Sequence, residues 1–162
     1  MAETLDVASL LPQRFEPKRK NRWVLMIEGI DAYIIKTAAR PTVTTEEVPI
    51  SFINSMRYIA GKTTFGAISV TLHDPIAPSG AQQVMEWIRL HFESVSGRSG
   101  YADFYKRDIQ LKLLDPVGTV VELWDIKGAF ILEAGFGELS YEDGLPVEIT
   151  LSLRADNFVL QY

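Results

Sequence analysis

The chain has 162 residues, of which 47% are hydrophobic and 23% are charged, and this composition predicts one globular domain with a sizeable core. Its formal net charge of −5 argues against a protein that grips nucleic acid through a basic surface. Because the chain contains no cysteine, disulfides, thiolate zinc sites and thiol nucleophiles are excluded.

The N-terminal residues, MAETLDVASLLPQ, lack the basic and apolar regions of a signal peptide. No apolar run approaches the roughly 20 residues of a membrane helix. We therefore expect a soluble protein that is made in the cytoplasm, without a membrane segment.

Residues 1–22 are predicted to form an N-terminal arm, and residues 23–162 a single domain. Within the arm, residues 6–15 favour a short helix that Pro12 and Pro17 interrupt. A basic cluster follows, and it is either a solvated tether or a contact with an acidic groove on a neighbouring copy. Its cations are Lys18, Arg19, Lys20 and Arg22.

The strand pattern begins at Trp23. The stretches WVLMIEGI and AYIIKTAAR flank Gly29-Ile30-Asp31, which predicts a hairpin. Two further strands are predicted at TTEEVPISF and, after a polar loop, at TTFGAISVTLHD. In the second of these, Ser69 and Thr71 alternate with apolar residues and belong to the polar face.

One helix is predicted after Pro78. Ser79 and Gln82 have the spacing of a capping box, and Gly97 and Gly100 mark the end. The predicted apolar stripe consists of Ala81, Val84, Met85, Ile88, Phe92 and Val95.

The last predicted element is one long strand from Pro146 to Phe158, because apolar and polar residues alternate along it. Its polar side carries Glu148, Thr150, Ser152, Arg154 and Asp156. Strands before and after a single helix predict an α+β fold with a mostly antiparallel sheet, as a sandwich or partial barrel. Such a sheet has edges that invite pairing with other chains.

No constellation in the sequence predicts catalysis. His73 and His91 have no partners at metal-ligand spacing, so surface or partly packed imidazoles are favoured. The acidic pairs Glu46-Glu47 and Glu142-Asp143 lie in hydrophilic stretches, where solvated charges are expected. We predict neither an enzyme nor a bound cofactor or metal.

The order of several short patterns resembles the tail-tube proteins of contractile bacteriophage tails, the T4-like family. The central part contains PISFIN, a polar loop that ends in AGKTTF, the strand ISVTLHDP and a helix with EW. The C-terminal part contains IKGAF, GELSYEDG and VEITLSLRADNF. The resemblance covers almost the whole chain, from Trp23 to Phe158.

The resemblance implies a β-sandwich with one flanking helix, assembled into six-membered rings that stack as a tube inside a contractile sheath. The partners would be other copies, the sheath, the tape-measure protein, and baseplate and terminator proteins. DNA would pass through the lumen without specific binding, and the protein would reside in the virion.

The resemblance also suggests sites. The loop from Ile53 to Lys62 fits the family's stacking hairpin, which reaches into the neighbouring ring, and the apolar side chains at its tip suit a contact surface. The predicted stacking residues are Asn54, Ser55, Met56, Arg57, Tyr58, Ile59, Ala60, Gly61 and Lys62. One polar sheet face would line the bore, formed by the polar residues of the closing strand or by Ser69 and Thr71. The basic cluster of the arm is a second candidate for contact between rings.

Related functions remain open at this point. The chain could be the tube protein of a type VI secretion or other contractile injection system, or a baseplate protein that initiates the tube. A small enzyme or carbohydrate-binding module on a jelly-roll-like sandwich is a further alternative, but it would need a cleft with convergent polar groups.

Overall fold

The structure is a computed structural model that describes residues 6–12 and 14–162. In these residues the helices are α1 (Val7–Leu10), α2 (Gly80–His91) and α3 (Ala102–Tyr105), with a 3-10 turn at Ala32–Ile34. The strands are β1 (Trp23–Met26), β2 (Ile35–Ala38), β3 (Val43–Phe52), β4 (Ser55–Phe65), β5 (Ile68–His73), β6 (Arg107–Leu114), β7 (Val120–Gly135), β8 (Glu148–Arg154) and β9 (Asn157–Leu160).

The long strand β7 joins two antiparallel sheets. Its first half pairs with β6 and β9, so sheet I has the order β1-β6-β7-β9. Its second half pairs with β8, and sheet II has the order β7-β8-β5-β2. Between the halves stands Gly128, whose φ of +65° lies in the left-handed region that glycine enters without steric cost. A single 16-residue strand therefore serves both sheets.

One hydrophobic core lies between the sheets. Sheet I contributes Leu111 and Ile126, and sheet II contributes Leu72 and Leu151, all with 3% or less of their surface exposed. Helix α2 adds Trp87, whose indole N–H donates to the carbonyl of Tyr105 at 2.7 Å. The predicted α+β fold, mostly antiparallel with one main helix, is confirmed.

Two strand predictions near the ends of the domain were wrong. β1 and β2 do not pair as a hairpin, because they stand at opposite ends of the strand order, on β6 and β5 respectively. The predicted long C-terminal strand is two strands. β8 ends at Arg154, and the chain crosses to sheet I, where the N–H of Asp156 donates to the carbonyl of Lys127 at 3.0 Å.

The predicted helix is present but shorter than its glycines suggested. Ser79 caps it by accepting from the N–H of Gln82 at 3.4 Å, as expected, and the helix ends at His91. Its buried side chains are Val84 and Trp87, whereas Val95 of the predicted stripe lies beyond the helix and is exposed.

Candidate functional site: surfaces for assembly

Strands β3 and β4 form a β-hairpin that belongs to neither sheet. Every residue of β3 is exposed, and so is every residue of β4 except Gly61 and Phe65. Phe65 anchors the base, because its ring lies 5.1 Å from that of Phe158 in the core. At about 3.4 Å per residue, the hairpin projects on the order of 30 Å from this anchor.

Both faces of the hairpin carry apolar side chains. Side chains alternate between the faces along a strand, and directly opposite residues share a face. The register therefore places Val48, Ile50 and Ile59 on one face, and Pro49, Met56 and Tyr58 on the other. Of these, Val48, Ile50, Met56, Tyr58 and Ile59 are more than 40% exposed. A two-stranded hairpin is marginally stable alone, and exposed apolar groups on this scale mark a contact surface.

The tip of the hairpin is strained and apolar. Ile53 has a φ of +53°, which is an outlier for a β-branched residue, and the residue is 85% exposed. Its neighbour Phe52 is 71% exposed, and the carbonyl of Phe52 accepts from the Ser55 hydroxyl at 3.0 Å. Strained backbone conformations concentrate at functional sites.

The stacking residues predicted from the sequence lie on a hairpin, as the resemblance implied, but most of them belong to a strand and not to a loop. Asn54 is in the tight turn, Ser55–Phe65 is strand β4, and Lys62 lies within that strand. The polar loop expected here from Ser, Asn and Gly is wrong because the stretch pairs with β3 along its length and is a strand. The contribution of β3 was missed, although Ile50 and Phe52 follow the same alternation. The stacking role itself stays a prediction.

Sheet II presents a polar face opposite to the core. Ser69 pairs with Ser152, Thr71 with Thr150 and His73 with Glu148, so both sets of predicted bore-lining residues share one face. Arg154 is exposed at one end of it. Asp156 is exposed too, but it lies beyond β8, where it accepts from Lys106 at 2.7 Å and does not extend the strand. Neighbouring strands add Thr37, Lys36 and Glu133, which sequence reasoning missed.

The charges on this polar face are balanced. Lys36 forms an ion pair with Glu148, and Arg154 and Glu133 supply one further charge of each sign. The hydrogen bond from Lys36 lowers the pKa of Glu148 below its ordinary value, with a smaller contribution from His73. Arg154 is the only cation among the polar residues predicted on the closing strand, and Lys36 of β2 adds a second cation to the face. The strand residues of this face are formally neutral when His73 is uncharged, and Glu138 and Asp143 of the link between β7 and β8 border the face.

The edges of sheet II are free to pair among the described residues. β2 pairs only with β5, and the second half of β7 pairs only with β8. The four strands alternate in direction, so these two edges run antiparallel to one another. Gly135 and Ile35 lie at the same end of the sheet, since the register leads from Gly135 through Thr150 and Thr71 towards Ile35.

The arm is held by one buried carboxylate, Glu122 in β7, of which 2% is exposed. The Glu122 carboxylate accepts hydrogen bonds from Lys18 of the arm and from the indole of Trp124. It also accepts one from Arg40 at 2.8 Å, and Arg40 lies just before the hairpin in the chain. Burial would raise the pKa of Glu122, but the hydrogen bonds from Lys18 and Trp124 and the charge of Arg40 hold it below its ordinary value. This carboxylate therefore ties the arm and the base of the hairpin to sheet I.

The other predicted arm contacts are placed differently. Arg19 and Arg22 lie 3.8 and 3.7 Å from Glu16 within the arm, and Lys20 has no carboxylate within 4.0 Å in the part of the chain that the structure describes. Lys18 is engaged within its own chain. Contact of this cluster with another copy stays a prediction.

No convergent catalytic or metal site is built from the described residues. No group of three His, Asp or Glu side chains is close enough to hold a metal ion among them. His91 packs edge-on against Tyr105, with 4.7 Å between the ring centres, so it serves as a packed aromatic ring. None of the helices in residues 6–12 and 14–162 has the length and hydropathy to cross a membrane.

Comparison with known proteins finds similarity in structure only. No known family model matches the chain, and no curated protein is significantly similar in sequence. A chain of the anti-feeding prophage tube-terminating cap superposes with a TM-score of 0.76 at 14% identity, covering 97% of this chain and 99% of that one. The chain has the fold of contractile-tube proteins.

Two further structures support this assignment. A chain of the PVC extracellular contractile injection system, in its extended sheath-tube complex, gives a TM-score of 0.68 at 14% identity and covers 98% of this chain and 99% of that one. Hcp1 from Flavobacterium johnsoniae gives 0.51 at 13% identity and covers 86% and 94%. At such low identity these likenesses establish the fold and leave the function to be argued from the surfaces.

Proposed function

We propose that the chain is the repeating structural subunit of the inner tube of a contractile phage tail or a related contractile injection particle, in which six-membered rings stack into a hollow conduit. The observation that carries the proposal is the projecting hairpin, apolar on both faces and exposed in the single chain. Covering it in a neighbouring ring would remove this surface from water and supply the binding free energy for stacking.

The edges of sheet II support ring formation. Because β2 and β7 run antiparallel, the β7 edge of one copy can pair with β2 of the next, and the pattern stays antiparallel around the ring. Six copies of four strands, spaced by about 4.8 Å and tilted by about 36°, give a barrel on the order of 45 Å wide. Closure also removes the exposed edges.

In this arrangement the polar face of sheet II lines the bore, and its neutral charge offers passing DNA no cluster of cations to bind. The tape-measure protein would occupy the bore during assembly, the sheath would surround the tube, and baseplate and terminator proteins would hold its ends. The subunit would be made in the host cytoplasm and reside in the virion. We also propose that it is not an enzyme and binds no cofactor.

A second candidate is the tube of a non-viral contractile injection system, and the likeness to the PVC and anti-feeding prophage chains favours it. The two candidates differ in what accompanies the tube. Particles that contain this protein should carry capsids and nuclease-protected DNA if they are phage, and neither if they are injection particles. A tube initiator or a type VI ring protein would instead form discrete rings without elongation.

The decisive experiment is negative-stain microscopy of the purified protein. We expect open tubes of stacked six-fold rings. A matched variant removes residues 48–59 and joins Glu47 to Ala60, which are opposite in the register, through an Asn-Gly turn. This variant should fold and should not stack. If the intact chain stays monomeric at high concentration, that result would contradict the proposal.

A further inference from the structure

A groove of about 400 Å³ opens between β1 and β6 of sheet I and β2 of sheet II. Its floor is apolar and includes Trp23, Ala38, Leu111 and Leu113. Its rim is basic and carries Arg19, Lys20, Lys36 and Arg40, with no carboxylate among the lining residues. A groove of this composition suits an occupant that combines apolar side chains with negative charge.

The link between β7 and β8 contains a segment of that chemistry, Glu138–Leu145, which we call the acidic segment. It has three carboxylates, Glu138, Glu142 and Asp143, and no cation. It has no regular secondary structure, and Leu139, Tyr141 and Leu145 are each at least 75% exposed. In the single chain these three side chains border an open hollow together with Lys36, His73 and Glu148 of sheet II. Large apolar side chains that stay this exposed indicate a contact surface.

Strand direction brings the segment of one copy to the groove of the next. In the proposed ring, β7 of one copy pairs antiparallel with β2 of its neighbour, so Gly135 lies beside the end of β2 that begins at Ile35. The acidic segment starts three residues later. The groove is lined by Lys36, Thr37 and Ala38 of that same strand. At about 3.3 Å per residue, the eight residues of the segment reach roughly 26 Å, enough to span the groove.

We propose that the acidic segment of each copy docks in the basic groove of the adjacent copy and latches the ring. This inference rests on the proposed function, because it needs neighbouring copies joined through sheet II. Leu139, Tyr141 or Leu145 would cover the apolar floor, and the carboxylates would face the rim cations. Lys20 is the cation best placed for a new partner, since among the described residues it has no ion pair within 4.0 Å.

The absence of cysteine makes a direct test possible. A variant with Ala38→Cys in the floor of the groove and Leu139→Cys in the segment is assembled, oxidised with copper phenanthroline, and separated on a denaturing gel without reductant. We expect a ladder of linked chains that ends at the ring size, because each disulfide joins two copies. The control combines Ala38→Cys with Val95→Cys, an exposed residue between α2 and α3, and should stay monomeric.

The outcomes separate this inference from the proposed function. Rings in the microscope with no intermolecular link, or with a link only inside one chain by peptide mass spectrometry, would overturn the latch and leave the ring intact. Absence of rings from the cysteine-free parent would overturn both the latch and the proposed function.

As a second test, Arg19→Glu with Lys20→Glu should raise the concentration for half-assembly about tenfold, and adding Glu142→Lys with Asp143→Lys should restore the original concentration. Failure of that restoration would argue against the charge pairing.

Discussion

Val48 and Ile59 lie directly opposite one another in the β3–β4 hairpin, and neither is buried: 42% and 53% of their surfaces are exposed. Cross-strand apolar pairs of this kind normally stabilise a sheet by packing against a core. Here the core is absent from both faces, because Pro49 and Tyr58, the next opposite pair, point the other way and Tyr58 is 62% exposed. We therefore expect other chains to cover the hairpin from two sides.

The first prediction tests the two faces separately. Ile50→Ser changes one face and Tyr58→Ser the other, and each should abolish or strongly reduce tube formation because each removes apolar area from a contact. The free energy of unfolding should change by no more than about 0.5 kcal/mol, since both side chains are exposed in the single chain. Sedimentation and urea unfolding measure the two effects.

The control for these substitutions is Val95→Ser, which removes an even more exposed apolar side chain outside the hairpin and should leave tubes intact. If only one of the two hairpin variants lost assembly, the other face would be solvent-exposed in the tube. That result would contradict coverage from two sides.

The second prediction locates the polar face of sheet II. Ser152→Cys introduces the only thiol of the chain at the centre of that face, and the thiol can be labelled with a biotin maleimide before assembly. Streptavidin should bind the labelled protein when dissociated and fail to bind along the walls of intact tubes, because side chains narrow a bore of about 45 Å. The comparison with dissociated protein is the internal control, and streptavidin along the tube walls would place this face outside.

Much of the fold could be predicted from the sequence because burial imposes period two on strands and wider spacing on helices. Ile149, Leu151 and Leu153 alternate with exposed or half-buried residues as predicted, and the capped helix at Ser79 is where the pattern placed it. Strand partners were less predictable. Local turn signals at Gly29 favoured pairing β1 with β2, whereas packing of a single core separates them onto different sheets.

The exposure of the candidate surface was easier to predict than its structure. The apolar residues Met56, Tyr58 and Ile59 are exposed, as a contact surface would require, but their strand character depends on pairing with β3, which a local pattern does not reveal. The partners of Glu122 were beyond prediction for the same reason, because Lys18 and Arg40 are 104 and 82 residues away in the chain. Long-range contacts of this kind carry no local signal.

The third prediction concerns Gly100, which closes the end of α2. Its N–H donates to the carbonyl of His91 at 2.8 Å, and a Cβ there would lie 2.0 Å from the carbonyl oxygen of Leu90. Gly100→Ala should lower the free energy of unfolding by more than about 2 kcal/mol, since backbone must move to relieve the clash. Thermal unfolding of the variant and the parent measures this loss of stability. Gly144→Ala, where a Cβ would meet nothing within 4 Å, should be nearly neutral, and equal effects at the two sites would contradict this account.

The last prediction is a pH dependence centred on Glu122. Because Lys18, Trp124 and Arg40 hold the pKa of this buried carboxylate below its ordinary value despite burial, its ionised form stabilises the folded state above an ordinary carboxylate pKa of about 4.3. This contribution is lost as the pH falls through the lowered pKa. Glu122→Gln should lower the free energy of unfolding at pH 7 by about 1–3 kcal/mol, and the difference from the parent should shrink below about pH 4.

The Glu122→Gln variant should also release the arm, so trypsin should cut the basic cluster faster. Glu148→Gln, which breaks an exposed pair with Lys36, should change stability much less. Urea unfolding across pH measures both variants, and a Glu122→Gln effect that persisted unchanged at low pH would show that the carboxylate charge is not what holds the arm.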